Sequence, residues 1–291
     1  MVFSCIFPNV WDNDTWGVTM TYLIACDLDG TTLNHYGEIT AKTKKVLQLL
    51  KSKGHIIVLA TGRPYSGAIS KYEELGLDTP LVTDNGGSIE NPKDASFAKQ
   101  RTYIPVQMMH EIFRFSKPFI VTTFFSIDDV VYAYKYDKKL EAFFSGLTSS
   151  KVIEAEHTDF DVEPTGLVYL IEADKQEVFE NFIREHFGHT LSTRLWGVDN
   201  GAAVYEVYLK HISKSSAIKY LLDYYGMAQE QWIALGDGIN DVEMIRDAGL
   251  GVAMQNAVSE LKAVAKQITE KTHDEDAVAH FLNDYFHLNA F

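Results

Sequence analysis

The chain has 291 residues, 46% of them hydrophobic, a size that suits two domains or one domain with a large insertion. Its 26 basic and 40 acidic residues leave a net charge of −14, which argues against nucleic acid or an anionic membrane as the main partner. The two cysteines, Cys5 and Cys26, form no disulfide framework, no apolar run approaches the ~20 residues of a membrane span, and no secretory signal opens the chain; a cytoplasmic protein is expected.

Residues 1–19 show neither a helical nor a strand period, so they are expected to be an extension ahead of a fold that begins near Met20. From there strands and helices alternate. A short apolar strand at 22–28 runs into Asp27-Leu28-Asp29-Gly30-Thr31-Thr32. Thr40 can cap a helix over 41–53 that Gly54 stops, with Val46, Leu49 and Leu50 on its apolar face. A second buried strand, 55–60, ends at Thr61-Gly62-Arg63-Pro64. A helix over 66–75 and a strand over 80–84 follow, the latter broken by Asn85-Gly86-Gly87. Such alternation predicts a parallel sheet with right-handed crossovers.

Between 88 and 208 the chain is rich in Phe and Tyr and reads as a separate α+β domain. A hairpin is expected from Thr122 to Tyr136 with Asp128-Asp129 at its turn, and strands over 164–172 and 202–209. A helix over 175–187 is expected to bury Val178, Phe179, Phe182 and Ile183. Phe124, Phe125, Tyr132, Tyr134, Tyr136, Phe143 and Phe144 are expected mainly as core, with a pocket lining as the alternative. The parallel rhythm then returns. A helix over 211–225 precedes the strand 232–235, which ends in Gly236-Asp237-Gly238-Ile239-Asn240-Asp241. Helices over 240–248, 257–266 and 276–286 and strands over 250–254 and 267–269 complete the chain. The fold class expected is a doubly wound, Rossmann-like α/β core, residues 20–87 and 209–291, interrupted by an α+β cap, residues 88–208.

Four spots therefore place reactive groups at strand ends or helix starts: Asp27/Asp29, Thr61-Gly62-Arg63, Lys214, and Asp237/Asn240/Asp241. In a parallel sheet the carboxyl ends of the strands share one edge, so these groups can converge. Acids, a hydroxyl and an amine at one edge suit phosphoryl transfer assisted by a divalent cation, and oxygen ligands alone favour Mg²⁺. No His/Cys cluster has zinc spacing. Taken singly, each acid pair can also be a turn that caps its own backbone, and Lys214 an exposed helix residue.

In this order, the four spots closely resemble the four motifs of the haloacid dehalogenase superfamily, and the large insertion entered through Asn85-Gly86-Gly87 resembles its Cof-type, type IIB cap sugar-phosphatase branch. The likeness spans residues 20–287. It implies that Asp27 is the nucleophile and Asp29 the general acid and base, with Thr61 and Lys214 also catalytic. It implies Mg²⁺ held by Asp27, Asp29 (through its carbonyl) and Asp237, with Asp241 holding a metal-bound water or orienting Lys214. Leu28, Gly62, Arg63, Lys214 and Asn240 would bind the phosphoryl group. Arg63 can equally tie its loop to a nearby acid, and Gly86-Gly87 can be a hinge or a tight turn. Two positions depart from the family pattern: Ser215 follows the lysine where glycine is common, and Ala277 replaces the glycine of a C-terminal Asp-Gly-Val-Ala stretch.

The function implied is Mg²⁺-dependent hydrolysis of a small phosphate ester, such as a sugar phosphate. Two alternatives stand beside it: a phosphomutase or phosphotransferase of the same fold, and a catalytically silent regulator that binds a phosphorylated ligand.

Overall fold

Leu23–Cys26 forms β1, a strand with all four side chains buried, which suits the middle of a parallel sheet. The structure, a computed structural model, describes residues 20–128, 130–137 and 151–291. The expected leader, Cys5, Asp129, Phe143 and Phe144 lie outside the described residues. Thr40 caps the helix Ala41–Ser52 by accepting a hydrogen bond from the Thr43 amide, and β2, Ile56–Leu59, follows. After the helix Tyr65–Leu75 come β3, Leu81–Thr83, β4, Ser88–Glu90, and β5, Gln100–Arg101.

The third strand corrects the expectation of a full parallel partner. Its parallel contact is the single bridge Ala60–Val82, and its regular pairing is antiparallel to β4, which pairs with β5. Asp84 and Asn85 take left-handed backbone angles directly after β3, and this turns the chain back on itself before a longer strand can form.

A helix at Val106–Ser116, which the aromatic texture did not announce, leads into a six-stranded sheet. Its strands are β6, Ile120–Ile127; β7, Val130–Tyr134; β8, Lys151–Glu154; β9, Gly166–Glu172; β10, Leu191–Asp199; and β11, Ala202–Leu209. The order is β10-β11-β9-β6-β7-β8, antiparallel except for β7 with β8. The expected hairpin is β6–β7, with Asp128 in the left-handed region at its turn. The helix Gln176–Phe187 buries Phe179, Ile183 and Phe187 against this sheet, whereas Val178 is 47% exposed, contrary to expectation. The buried residues recur every fourth position, and Val178 sits about a quarter-turn off that stripe. Phe125 stacks on Tyr132 at 5.0 Å within the core that Phe113, Tyr169 and Phe179 share, so these aromatics are mainly packing.

The helix Lys214–Tyr225 begins three residues later than expected, because the Ser213 hydroxyl accepts from the Ser216 amide and fixes the start there. It leads to β12, Trp232–Gly236; β13, Leu250–Ala253; and β14, Gln267–Ile268, with short helices Val242–Asp247 and Ser259–Val264 between them. The helix Ala277–Tyr285 packs against Ala41–Ser52. The parallel sheet runs β14-β13-β12-β1-β2, with Cys26 opposite Leu235 and Leu59. Its core and that of the six-stranded sheet are separate clusters. No helix among the described residues is long and apolar enough to cross a membrane.

Candidate active site

β1 and β12 are neighbours, and the Asp27 amide continues their ladder to the Leu235 carbonyl at 3.0 Å. Asp27 and Asp237 therefore leave the sheet side by side at its carboxyl edge. Beyond Asp27 the chain turns sharply through Gly30 at φ +71°. A Cβ there would sit 2.3 Å from Asp237 Oδ2, so both backbone and space demand glycine. The Thr31 hydroxyl donates to Asp237 Oδ1 at 2.9 Å, and the Thr32 hydroxyl to the Asp27 carbonyl at 2.5 Å.

Lys214, the first residue of its helix, is fully buried with its ammonium at this edge. Nζ lies 2.6 Å from Asp27 Oδ1 and 2.7 Å from Asp241 Oδ1. Asp241 Oδ2 accepts from the amides of Asp237 and Gly238 at 3.1 and 3.0 Å. Asp241 thus orients both the lysine and the loop that carries Asp237. One ammonium faces three carboxylates: Asp27, Asp237 and Asp241 offer oxygens all within 4.8 Å of one another. Burial pushes Asp27 well above the usual carboxylate range, with Asp241 and Asp237 adding repulsion that Lys214 only partly offsets. Burial, then the Asp241 charge, pushes Asp237 up to about 6. For Lys214, burial opposes the charge, but Asp241 and Asp27 outweigh it and hold the amine protonated. An oxygen-only set with excess negative charge in a poorly solvated place fits a hard divalent cation.

The other expected residues take separate places. Thr61 is buried at the end of β2, and its hydroxyl accepts from the Arg63 amide at 3.0 Å. The Leu28 side chain lies wholly in the core, so only its backbone can face the site. Asp29 turns away from the carboxylate cluster: Arg63 Nε and Nη2 grip both its oxygens at 2.8 and 2.6 Å. Of the two roles open to Arg63, the structure displays the tie to an acid. Asp29 brings no side-chain oxygen to the three-carboxylate cluster, where Asp241 stands instead.

Asn240 Nδ2 donates to Asn85 Oδ1 at 2.8 Å, and Asn85 Nδ2 donates to Glu206 Oε1 at 2.8 Å. Neither Asn85 as a partner of the site nor Glu206 was picked out by sequence reasoning. The only signal was the Asn-Gly-Gly punctuation after β3. Of the two family departures, Ser215 has a local use, and Ala277 is buried in the core. The Ser215 hydroxyl donates to Asp247 Oδ2 at 2.7 Å, joining two helices. Asp276, left-handed just before Ala277, accepts from the Thr40 hydroxyl. Cys26 is buried in β1, and burial raises its thiol to about 12, so it is packing.

The haloacid dehalogenase-like hydrolase family (Hydrolase_3) matches residues 24–282. A Bacillus subtilis (strain 168) protein, 5-amino-6-(5-phospho-D-ribitylamino)uracil phosphatase YitU, is 32% identical over 272 residues, covering 93% of this chain and 99% of that one. The crystal structure of a haloacid dehalogenase-like hydrolase from Bacteroides thetaiotaomicron superposes with a TM-score of 0.76 at 27% identity, covering 92% of this chain and 100% of the other. The subclass IIB sugar phosphatase BT4131 shares the fold at TM-score 0.77 and 22% identity, covering 91% and 99%. The ordered motifs, the parallel core with its second sheet, and these similarities agree: the chain belongs to the haloacid dehalogenase-like hydrolases, in the Cof-type branch, and is a phosphatase.

Proposed function

We propose that the protein is a Mg²⁺-dependent phosphatase that hydrolyses a small phosphate ester through an aspartyl-phosphate on Asp27. The observation that carries this reading is the buried Lys214 ammonium bridging Asp27 and Asp241, with Asp237 beside them. Asp27, Asp237 and the Asp29 carbonyl would hold the cation, which when bound supplies charge neutralisation between the nucleophile and the phosphoryl oxygens.

The remaining chemistry belongs to the chain. An Asp27 carboxylate oxygen attacks phosphorus, a P–O bond to aspartate forms, and the bond to the leaving oxygen breaks. Asp29 gives that oxygen a proton, then takes one from the water that attacks the phosphorylated Asp27, releasing phosphate and restoring the carboxylate. Asp29 must leave the Arg63 fork to do this. Its side chain is 57% exposed, so nothing packs it in place. Thr61, the backbone at Leu28 and Gly62, Asn240 and Lys214 present donors to the phosphoryl oxygens, and Lys214 stays charged for that task because two carboxylates face it.

Residues 20–87 and 209–291 form the catalytic core on this reading, and 88–208 the cap that encloses the leaving group and sets specificity. The leaving group we favour is a sugar or sugar alcohol. The relative's named compound, with its phosphate on a D-ribityl chain, is the first to try. We place the enzyme in the cytoplasm on the absence of a disulfide framework. Phosphate release across a panel of esters with Mg²⁺ tests the proposal, with Asp27→Asn as control. Turnover of sugar-type esters, lost in the variant, is expected. No turnover of any ester would overturn it.

A further inference from the structure

The Asn85–Gly86 turn touches three of the four motif elements at once. The Asn85 amide nitrogen donates to the Thr61 carbonyl at 3.0 Å, and its side chain lies over Gly62, where a Cβ would come 3.0 Å from Oδ1. Gly86, at φ +100°, abuts the start of the Lys214 helix so closely that a Cβ would meet the Ser213 carbonyl oxygen at 2.2 Å. The Asn85 carboxamide then reaches Asn240. From the other side, Glu206 on β11 accepts from Asn85 through Oε1 and from Arg194 Nη1 through Oε2, at 2.8 Å each. The Arg194 guanidinium lies 4.6 Å from the centre of the Tyr208 ring. Asn85, Arg194, Glu206 and Asn240 are all more than nine-tenths buried.

The chain of bonds has a direction. A carboxylate only accepts, so Glu206 requires Asn85 to show it the NH₂ end. Asn85 must then turn its carbonyl oxygen to Asn240, which in turn must offer its own NH₂. Reversing either amide would set two acceptors against each other in a buried place, a costly arrangement. An NH₂ has two hydrogens. One of Asn240's goes to Asn85, and the other is left for the phosphoryl group.

We infer that Glu206 and Asn85 are positioning residues: a carboxylate on the six-stranded sheet sets, through the asparagine of the turn after β3, which end of the Asn240 amide faces the phosphoryl group. This rests on the phosphatase reading. Seating the second sheet on the core then completes a phosphoryl-binding donor whatever the leaving group is, and lifting it releases Asn240 to turn.

The test uses full-length protein, Mg²⁺, p-nitrophenyl phosphate as a leaving group unrelated to any natural one, and inorganic phosphate as inhibitor. Asn85→Ala and the isosteric Glu206→Gln are each expected to lower kcat/KM by about tenfold to a hundredfold and to weaken phosphate inhibition in proportion. Adding Asn85→Ala to Asn240→Ala is expected to cost nothing further, since Asn85 acts through Asn240. If Asn85→Ala does not fold, Glu206→Gln, which keeps the packing, carries the same comparison with Asn240→Ala. Independent, multiplying losses would overturn the inference, as would unchanged phosphate inhibition in folded Glu206→Gln. Inactivity of the wild type, equal to that of Asp27→Asn, would instead overturn the phosphatase reading.

Discussion

Asp237→Asn should separate stability from function at this site. The substitution keeps shape, and the Asn carbonyl can still accept from Thr31 as Asp237 Oδ1 does at 2.9 Å. It removes a charge that burial and Asp241 disfavour, raising the group from 3.8 to about 6. At about 1.4 kcal/mol per pH unit, the wild-type folded state carries a penalty of about 2–3 kcal/mol once this carboxyl ionises. The sign follows from the raised value. Below 3.8 the carboxyl is protonated whether the chain is folded or not, and the folded state keeps its full stability; that stability is lost as pH rises through about 6. In EDTA at about pH 8 the variant should therefore melt higher than wild type, by roughly 5–10 °C, and the gap should close towards about pH 4. With Mg²⁺ the wild type should recover by mass action while the variant gains little. Thermal unfolding at several pH values, with EDTA or with Mg²⁺, measures all of this. A variant less stable than wild type at about pH 8 without metal, or equally helped by Mg²⁺, would refute the reasoning.

Lys214→Met leaves Asp27 and Asp241 without their ammonium and should cost about 3–5 kcal/mol in EDTA by chemical unfolding, with little activity left. Asp29→Asn should lower kcat by about 10²-fold or more, whereas Arg63→Ala, which frees Asp29 and the Gly67 carbonyl, should change it by no more than a few-fold; steady-state kinetics of both decides. Gly30→Ala, at φ +71° and against Asp237, should destabilise by more than about 1 kcal/mol and lower Mg²⁺ affinity, read by unfolding and metal titration. In ¹⁸O-labelled water, released phosphate should carry solvent oxygen. Label-free phosphate with transfer to a second sugar hydroxyl would indicate a mutase.

The parts of the site that follow buried parallel strands were legible because such strands read as short apolar runs, and an acid cluster ending one stands out. Asp27 and Asp237 were found this way, whereas Lys214, at a helix start, stood out only as one of the four ordered motifs; the structure brings all three together. The partner of Arg63 was not legible, since its choice of Asp29 depends on how two loops face each other. Glu206 was missed for a similar reason. It alternates inside an ordinary strand, and the side chain it meets, Asn85, lies 121 residues away in the chain. The short β4 and β5 and the helix Val106–Ser116 were also missed, because two- and three-residue strands carry no measurable period and Phe-rich stretches suit either element.

Covalent chemistry at Asp27 is the central claim. Acid-quenched reactions with a turned-over ester and Mg²⁺, digested and read by mass spectrometry, test it most directly. The account predicts a phosphoryl group on the peptide containing Asp27, absent without Mg²⁺ and absent in Asp27→Asn, which should not turn over. Steady hydrolysis by Asp27→Asn, or a phosphoryl group trapped on a different residue, would contradict it.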